Sequence, residues 1–214
     1  MTQRWFTADP HISHKLVAGL RGFWRKDQDD VSVPDTLLHD MTLADNWDRV
    51  VSPEDEVWIL GDMSINSGSQ VAEWVNARPG IKHLVSGNHD KTHTGIFSKG
   101  KSDRVLAEWS SVFESIQNET VIEIAERRVT LSHFPFWSWG DGPSVRDNNP
   151  DFQPRYPDQR PKEGKDTILL HGHTHSKETA HERSFHVGLD AHGLQLVSEE
   201  TIIDWVITLD KTSR

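Results

Sequence analysis

The chain has 214 residues, 35% of them hydrophobic and 26% charged, with 23 basic and 33 acidic side chains, a formal net charge of −10 and no cysteine. No run approaches the about 18 apolar residues of a membrane span, and without cysteine there are no disulfides and no thiolate chemistry. The acidic balance disfavours duplex DNA as a partner, although bound cations could still admit a phosphate-bearing small molecule or nucleotide.

The length suits one domain, residues 1–214, with a single core. The opening MTQRWFTADP has no apolar secretory core, so a cytoplasmic location is expected. Residues 5–7 form the first candidate strand, ending at Asp9–Pro10–His11. Residues 35–51 carry apolar positions at helical spacing, including Leu37, Leu38, Met41 and Trp47, with Asp35 as N-cap. A buried strand at 57–60 ends at Gly61–Asp62. Val71, Trp74 and Val75 mark a short helix that Pro79–Gly80 stops. A strand at 81–85 ends at Gly87–Asn88–His89–Asp90, and a helix follows over 103–113. Residues 121–125 and 128–132 read as a hairpin turning at Glu126–Arg127, its second strand ending at His133. The polar stretch 136–166 is too long for a plain connection and reads as a functional loop. A strand at 167–170 then ends in HGHTH, and Ser198 caps a last helix. Strands alternating with helices predict an α/β fold.

Each of the five main strand candidates stops at a side chain able to hold a metal. In open α/β sheets the carboxyl ends of strands converge on one rim, so residues distant in sequence can share one cleft. Taken singly, each is an ordinary turn or cap residue. Taken together, carboxylate, imidazole and amide oxygen form a donor set for Mn, Fe, Zn, Co or Ni. Asp62 is the candidate bridge between two cations, because one carboxylate can reach both and Gly61 allows a sharp turn beside it.

Asp9–Pro10–His11, Gly61–Asp62, Gly87–Asn88–His89–Asp90, His133 and Gly172–His173–Thr174–His175 resemble, in order, the motif set of the calcineurin-like metallophosphoesterases. Phe6–His14 and Val187–Ser198 resemble its small bacterial and phage-type members. The resemblance implies a four-layer α-β-β-α sandwich of two mixed β-sheets flanked by helices. It also implies two divalent transition-metal ions, manganese foremost. One would be held by Asp9, His11, Asp62 and His175, the other by Asp62, Asn88, His133 and His173. His89 would be the general acid and Asp90 its orienting partner. The implied reaction is hydrolysis of a phosphate ester by in-line attack of metal-activated hydroxide, with a phosphodiesterase favoured. A phosphomonoesterase or single-strand nuclease is the alternative, and an inactive binding scaffold the remoter one.

His14, Arg21, Trp137 and Trp139 are candidate substrate contacts, and Arg146, Arg155 and Arg160 could grip further phosphates or be solvated. His171 is expected to pack below the site or orient a ligand. His39, His83, His93 and His181 are expected to be solvated, whereas His186 and His192 could approach the cleft. Trp47, Trp58, Trp74, Trp109 and Trp205 read as packing. A monomer and a homodimer are both compatible with the sequence.

Overall fold

Alternation of apolar residues along short strands builds two sheets with a shared core. A computed structural model describes residues 2–65, 69–142 and 153–212. The first sheet contains β1 (Arg4–Thr7), β4 (Glu56–Ile59), β5 (Ile81–Val85), β6 (Ser115–Gln117) and β12 (Val197–Ser198), in the order β12-β1-β4-β5-β6. Within it β1, β4, β5 and β6 run parallel, and β12 is antiparallel to β1. The second contains β7 (Glu119–Ile124), β8 (Arg127–Ser132), β9 (Ile168–His171), β10 (Ala180–His181) and β11 (Ser184–His186), in the order β10-β11-β9-β8-β7. There β8, β9 and β11 are parallel and the two edge strands antiparallel. A small hairpin, β2 (Trp24–Lys26) and β3 (Ser32–Pro34), stands apart.

Phe6, Trp58, Leu60 and Val85 from the first sheet meet Val129, Leu131, Ile168, Leu170 and Phe185 from the second. The intervening residues Val57, Ile59 and Leu84 face the other way. They are covered through Leu43 and Trp47 of α2 (Thr36–Asp48), Val71 and Val75 of α3 (Ser69–Asn76), and Val105 and Trp109 of α4 (Lys99–Trp109). The last helix, α5 (Glu199–Thr212), adds Ile202 and Val206 to the inner cluster. Leu169 and His171 face outward on the second sheet, where Trp139 of a 3-10 turn lies across His171. The architecture is the expected mixed α/β sandwich.

The helix predicted over 35–51 is α2, and the Asp35 side chain accepts from Leu38 N at 3.0 Å as a cap should. Its buried stripe is rotated from the expected one. Leu37, Leu38 and Met41 are exposed, while His39, Leu43, Asn46 and Trp47 are buried. Two polar members of that stripe are satisfied there: His39 sits against Arg21 and Asp40, and Asn46 donates to Leu194 O. The missed elements, α1 (Lys15–Leu20), β2, β3, β6, β10, β11 and β12, are two to six residues long and too short to display a period.

The β7–β8 hairpin turns at Ala125 and Glu126, one residue earlier than predicted, with φ of 50° and 60°. Both central residues are left-handed, the geometry of a type I′ turn, which favours Asn-Gly. Ala125→Asn combined with Glu126→Gly should therefore stabilise the fold by about 1 kcal/mol. In a chain of this size that corresponds to a rise of roughly 2–4 °C in calorimetric Tm. An unchanged or lower Tm would show that these side chains do more than close the turn.

Candidate metal centre

Because β1, β4 and β5 are parallel neighbours, the loops leaving them emerge side by side, as do those of β8 and β9. Backbone hydrogen bonds lace the loops together: Asp9 N to Gly61 O at 3.0 Å, His11 N to Asp62 O at 3.1 Å, and Gly172 N to His133 O at 3.0 Å. The chain turns through left-handed backbone at Asp9 (φ 59°), His11 (48°), Asp62 (55°), His173 (75°) and His175 (49°). Each such non-glycine residue costs on the order of 1–3 kcal/mol and persists only where its surroundings enforce it. Gly61 is required for close approach as well as for its φ of 85°. A Cβ there would lie 2.5 Å from Gly87 N and 2.7 Å from His133 Nδ1.

The side chains form two groups. In the first, His11 Nε2 is 3.1 Å from His175 Nε2 and 3.7 Å from Asp62 Oδ2, and His175 Nε2 is 3.9 Å from Asp9 Oδ1. In the second, Asn88 Oδ1 is 2.9 Å from His173 Nδ1 and 3.1 Å from His133 Nε2, and the two nitrogens are 3.2 Å apart. Asp62 Oδ2 lies 3.6 Å from His133 Nε2 and so faces both groups.

The 3.1 Å contact between His133 Nε2 and Asn88 Oδ1 is not an ordinary hydrogen bond. His133 Nδ1 is 2.8 Å from the Leu60 carbonyl and must carry the proton, which leaves Nε2 as a bare lone pair. Asn88 Oδ1 is likewise an acceptor. Lone pairs converging at this range repel unless a cation lies among them, and bonds of about 2.1 Å to one ion would set neighbouring donors about 3.0–3.4 Å apart. Electrostatics point the same way. Burial pushes the Asp9 carboxyl up to about 6 and the Asp62 carboxyl up to about 7. Burial drives His11 well below the usual imidazole range, lowers His133, and takes His173 down to about 3. Low-lying imidazoles at His11, His133 and His173 and buried carboxyls are a donor set that could hold divalent metal ions, while at His175 burial acts to lower the ring but Asp190 and Asp9 outweigh it and hold it above the usual range.

Two buried arginines back these groups in the same manner. Arg21 Nε and Nη2 bind both oxygens of Asp190 at 3.0 and 2.8 Å, and Asp190 Oδ2 is 2.8 Å from His175 Nδ1. Burial acts to raise Asp190, but Arg21 and His175 outweigh it and hold the carboxyl below its ordinary range. On the other side Arg160 pairs with Asp141, whose Oδ1 lies 3.4 Å from His173 Nε2. Arg160 also donates to the carbonyls of Pro135, Phe136, Gly140 and Arg155, closing the loop. Neither Asp141 nor Asp190 stands out in the sequence, since nothing marks a carboxylate in a polar loop until an arginine aims it.

The remaining candidates separate clearly. His89 is partly exposed; its backbone N–H donates to Asp62 Oδ1 at 2.8 Å and its Nε2 is 3.8 Å from Asp62 Oδ2. Burial, then His133, His14 and His175, lower its ring to about 4. Asp90 was expected to orient that ring. Its oxygens instead accept the amides of Asp62, Met63 and Gly87 at 2.8–2.9 Å, pinning the Asp62 loop to the Gly87 loop. Arg21, a candidate phosphate contact, has all five N–H donors engaged. Besides Asp190 they reach Asp9 O, Pro10 O and His39 Nε2, whose Nδ1 faces Asp40. Trp139 is fully buried with its ring 4.4 Å from that of His171, so it anchors the loop and cannot stack on a ligand. Trp137 stays exposed on the same turn, and His14 lies with its ring 5.5 Å from that of His11.

His171 stacks on His186 on the outer face of the second sheet, as a residue packing below the site would. His39 and His93 are buried rather than solvated; His93 packs edge-on against Phe134. His83 is half-buried and stacked on Trp58 at 4.3 Å. Arg155 is exposed, with Nε 3.5 Å from Asp141 Oδ2, and its charge reaches Asp62 and His89. Arg146 lies outside the described residues.

Two mixed sheets packed face to face, with imidazole and carboxylate donors gathered where parallel strands end, make a metallohydrolase framework. Residues 33–189 match the calcineurin-like phosphoesterase superfamily domain. The chain is 39% identical over 222 residues to the Gene 66 protein of Mycobacterium phage L5, covering 96% of this chain and 95% of that one. It is 36% identical over 205 residues to the Gene 66 protein of Mycobacterium phage D29, covering 89% of each. In fold it is similar to a crystal structure of a protein of unknown function from Aquifex aeolicus, with a TM-score of 0.63, 22% identity, and coverage of 96% of this chain and all of that one. The chain belongs to the calcineurin-like phosphoesterase superfamily. Metal-dependent hydrolysis of phosphate esters is the chemistry of that superfamily.

Proposed function

We propose that the chain is a two-cation phosphodiesterase, with manganese the foremost metal and Fe, Zn, Ni or Co acceptable. It acts as one catalytic domain in the cytoplasm on a small phosphate ester or nucleotide. The observation that carries this reading is the meeting at Asp62 Oδ2 of two groups of donor atoms, buried except at His175. Asp9, His11, Asp62 and His175 would hold one ion, and Asp62, Asn88, His133 and His173 the other. When bound, the pair would make hydroxide available near neutral pH and draw charge from the phosphoryl oxygens.

The protein's own groups do the rest. Asp90 fixes Asp62 by holding the amides of its loop. His89 stands at the exposed side of Asp62 and passes a proton to the ester oxygen as its bond to phosphorus breaks, so that the group leaves as an alcohol. A diester is favoured over a monoester by charge. Arg21 and Arg160 are committed to Asp190 and Asp141, which leaves, among the described residues, the exposed Arg155 as a guanidinium for phosphate oxygens. That suits a singly charged diester better than a monoester dianion. The formal charge of −10 argues against duplex DNA. Hydrolysis of bis(p-nitrophenyl) phosphate and of p-nitrophenyl phosphate, after chelation and with Mn, Ni, Co or Mg added back, tests this. The diester should be the better substrate and chelation should abolish turnover. Inactivity on both esters with every metal would refute the reading.

Asp190 and Asp141 act as positioning residues, each fixing the ring of a proposed ligand through its second nitrogen. Asp190→Asn and Asp141→Asn should each weaken metal binding about 10–100-fold. Competition with a metal-sensing dye measures this without turnover. Parental affinity in both variants would leave the two arginine–aspartate pairs a purely structural role.

A further inference from the structure

A cavity of about 660 Å³ opens beside His11, His89 and His175, and its other wall is apolar. That wall is built by α1 and the turn after β11. Leu16 and Leu20 stand four residues apart, on one face of α1, and are 64% and 78% exposed. Leu189 and Leu194 complete it, and Val17 on the same helix is buried beneath. Two leucines so exposed on a six-residue helix are unusual as mere surface, because they line one cavity with two further leucines next to the reacting centre. The ionic groups of the cavity are already matched: Asp190 holds Arg21 and His175. Lys177 remains as the uncommitted cation among the described lining residues. A second or third phosphate would find little to neutralise it there.

We propose that this cavity receives the leaving group of the substrate, and that the enzyme acts on phosphodiesters of an uncharged, hydrocarbon-rich or aromatic alcohol in preference to nucleoside polyphosphates. The proposal rests on the phosphoesterase reading. His89 lies on the cavity wall, so the alcohol seated there is the one placed to take its proton. In the reaction the oxygen of water bonds to phosphorus and the phosphorus–oxygen bond to that alcohol breaks. The alcohol departs with the proton from His89, the water's own proton passes to solvent, from which His89 is recharged, and a phosphomonoester remains.

A series of n-alkylphosphonates, from methyl to octyl, tests the cavity by calorimetric binding to the Mn-loaded protein. Affinity should rise roughly three- to fourfold per methylene over the first several carbons. The slope should flatten in a Leu16→Ser, Leu20→Ser double variant, whose sites are too exposed to threaten the fold. A flat series in the parent, an equal slope in the variant, or tighter binding of a nucleoside diphosphate than of octylphosphonate would overturn the proposal. Absence of binding by methylphosphonate and inorganic phosphate alike would instead strike at the phosphoesterase reading, because those ligands do not need the leucines.

Discussion

Asp62→Asn is expected to abolish turnover and yet stabilise the metal-free protein at alkaline pH. The carboxylate is nearly isosteric with the amide, and Oδ1 can keep the hydrogen bond from His89 N at 2.8 Å. The fold therefore has little reason to change. What is lost is the charge and the second oxygen, which faces His11 on one side and His133 on the other. Losing the proposed bridge between two cations should cut kcat/KM about a thousandfold or more, which is about 4 kcal/mol of transition-state stabilisation. Metal analysis should show fewer than two equivalents retained.

The stability of the chelated protein supplies a second readout. Burial raises the Asp62 carboxyl from its ordinary 3.8 to about 7, so the folded state favours the protonated form. Ionisation then destabilises the fold progressively as pH rises from about 4 through 7. Asparagine does not ionise, so above pH 7 the chelated variant should melt at or above the parent. With metal restored the order should reverse, since ligand bound only to the native state stabilises the parent. A variant less stable than the parent in both conditions would mean that Asp62 is a packing residue.

Much of the candidate centre was legible because its chemistry sits at strand ends. The strands β1, β4, β5, β8 and β9 each finish in buried residues, and each gives way to a short loop carrying Asp, Asn or His. The ordering of such loops on one rim follows from parallel strands alone. Charge was less informative than charge with its partners. Arg21 and Arg160 looked available for phosphate, yet each proved buried and fully engaged. Asp141 and Asp190 looked like loop residues for the complementary reason. His39 and His93 show the same limit, since a polar side chain is buried when partners or packing receive it, and those come from elsewhere in the chain. The left-handed backbone at Asp9, His11, Asp62, His173 and His175 carries no glycine signature, because only the assembled loops enforce it. Two proposed ligand groups are thus held twice over, by strained turns from behind and by arginine-aimed carboxylates from the side.

His89→Asn should have an effect that depends on what departs. A proton from His89 matters when the leaving oxygen is a poor base to release, as an alkoxide is, and matters little for nitrophenolate, which leaves without one. The variant should therefore lose about 10²–10⁴-fold in kcat/KM on an alkyl phosphodiester, the usual contribution of a placed acid. On bis(p-nitrophenyl) phosphate the loss should be far smaller. The resting ring lies at about 4 and is mostly neutral at pH 7. An anionic diester seated beside it raises the ring toward the imidazolium, the form that donates the proton. Metal content provides the control, because the His89 side chain is partly exposed and belongs to neither donor group. Two bound equivalents in the variant, with a loss confined to poor leaving groups, would establish proton delivery. An equal loss on both esters would instead assign His89 to holding the phosphate, and the acid would have to be sought at His14, its neighbour across His11.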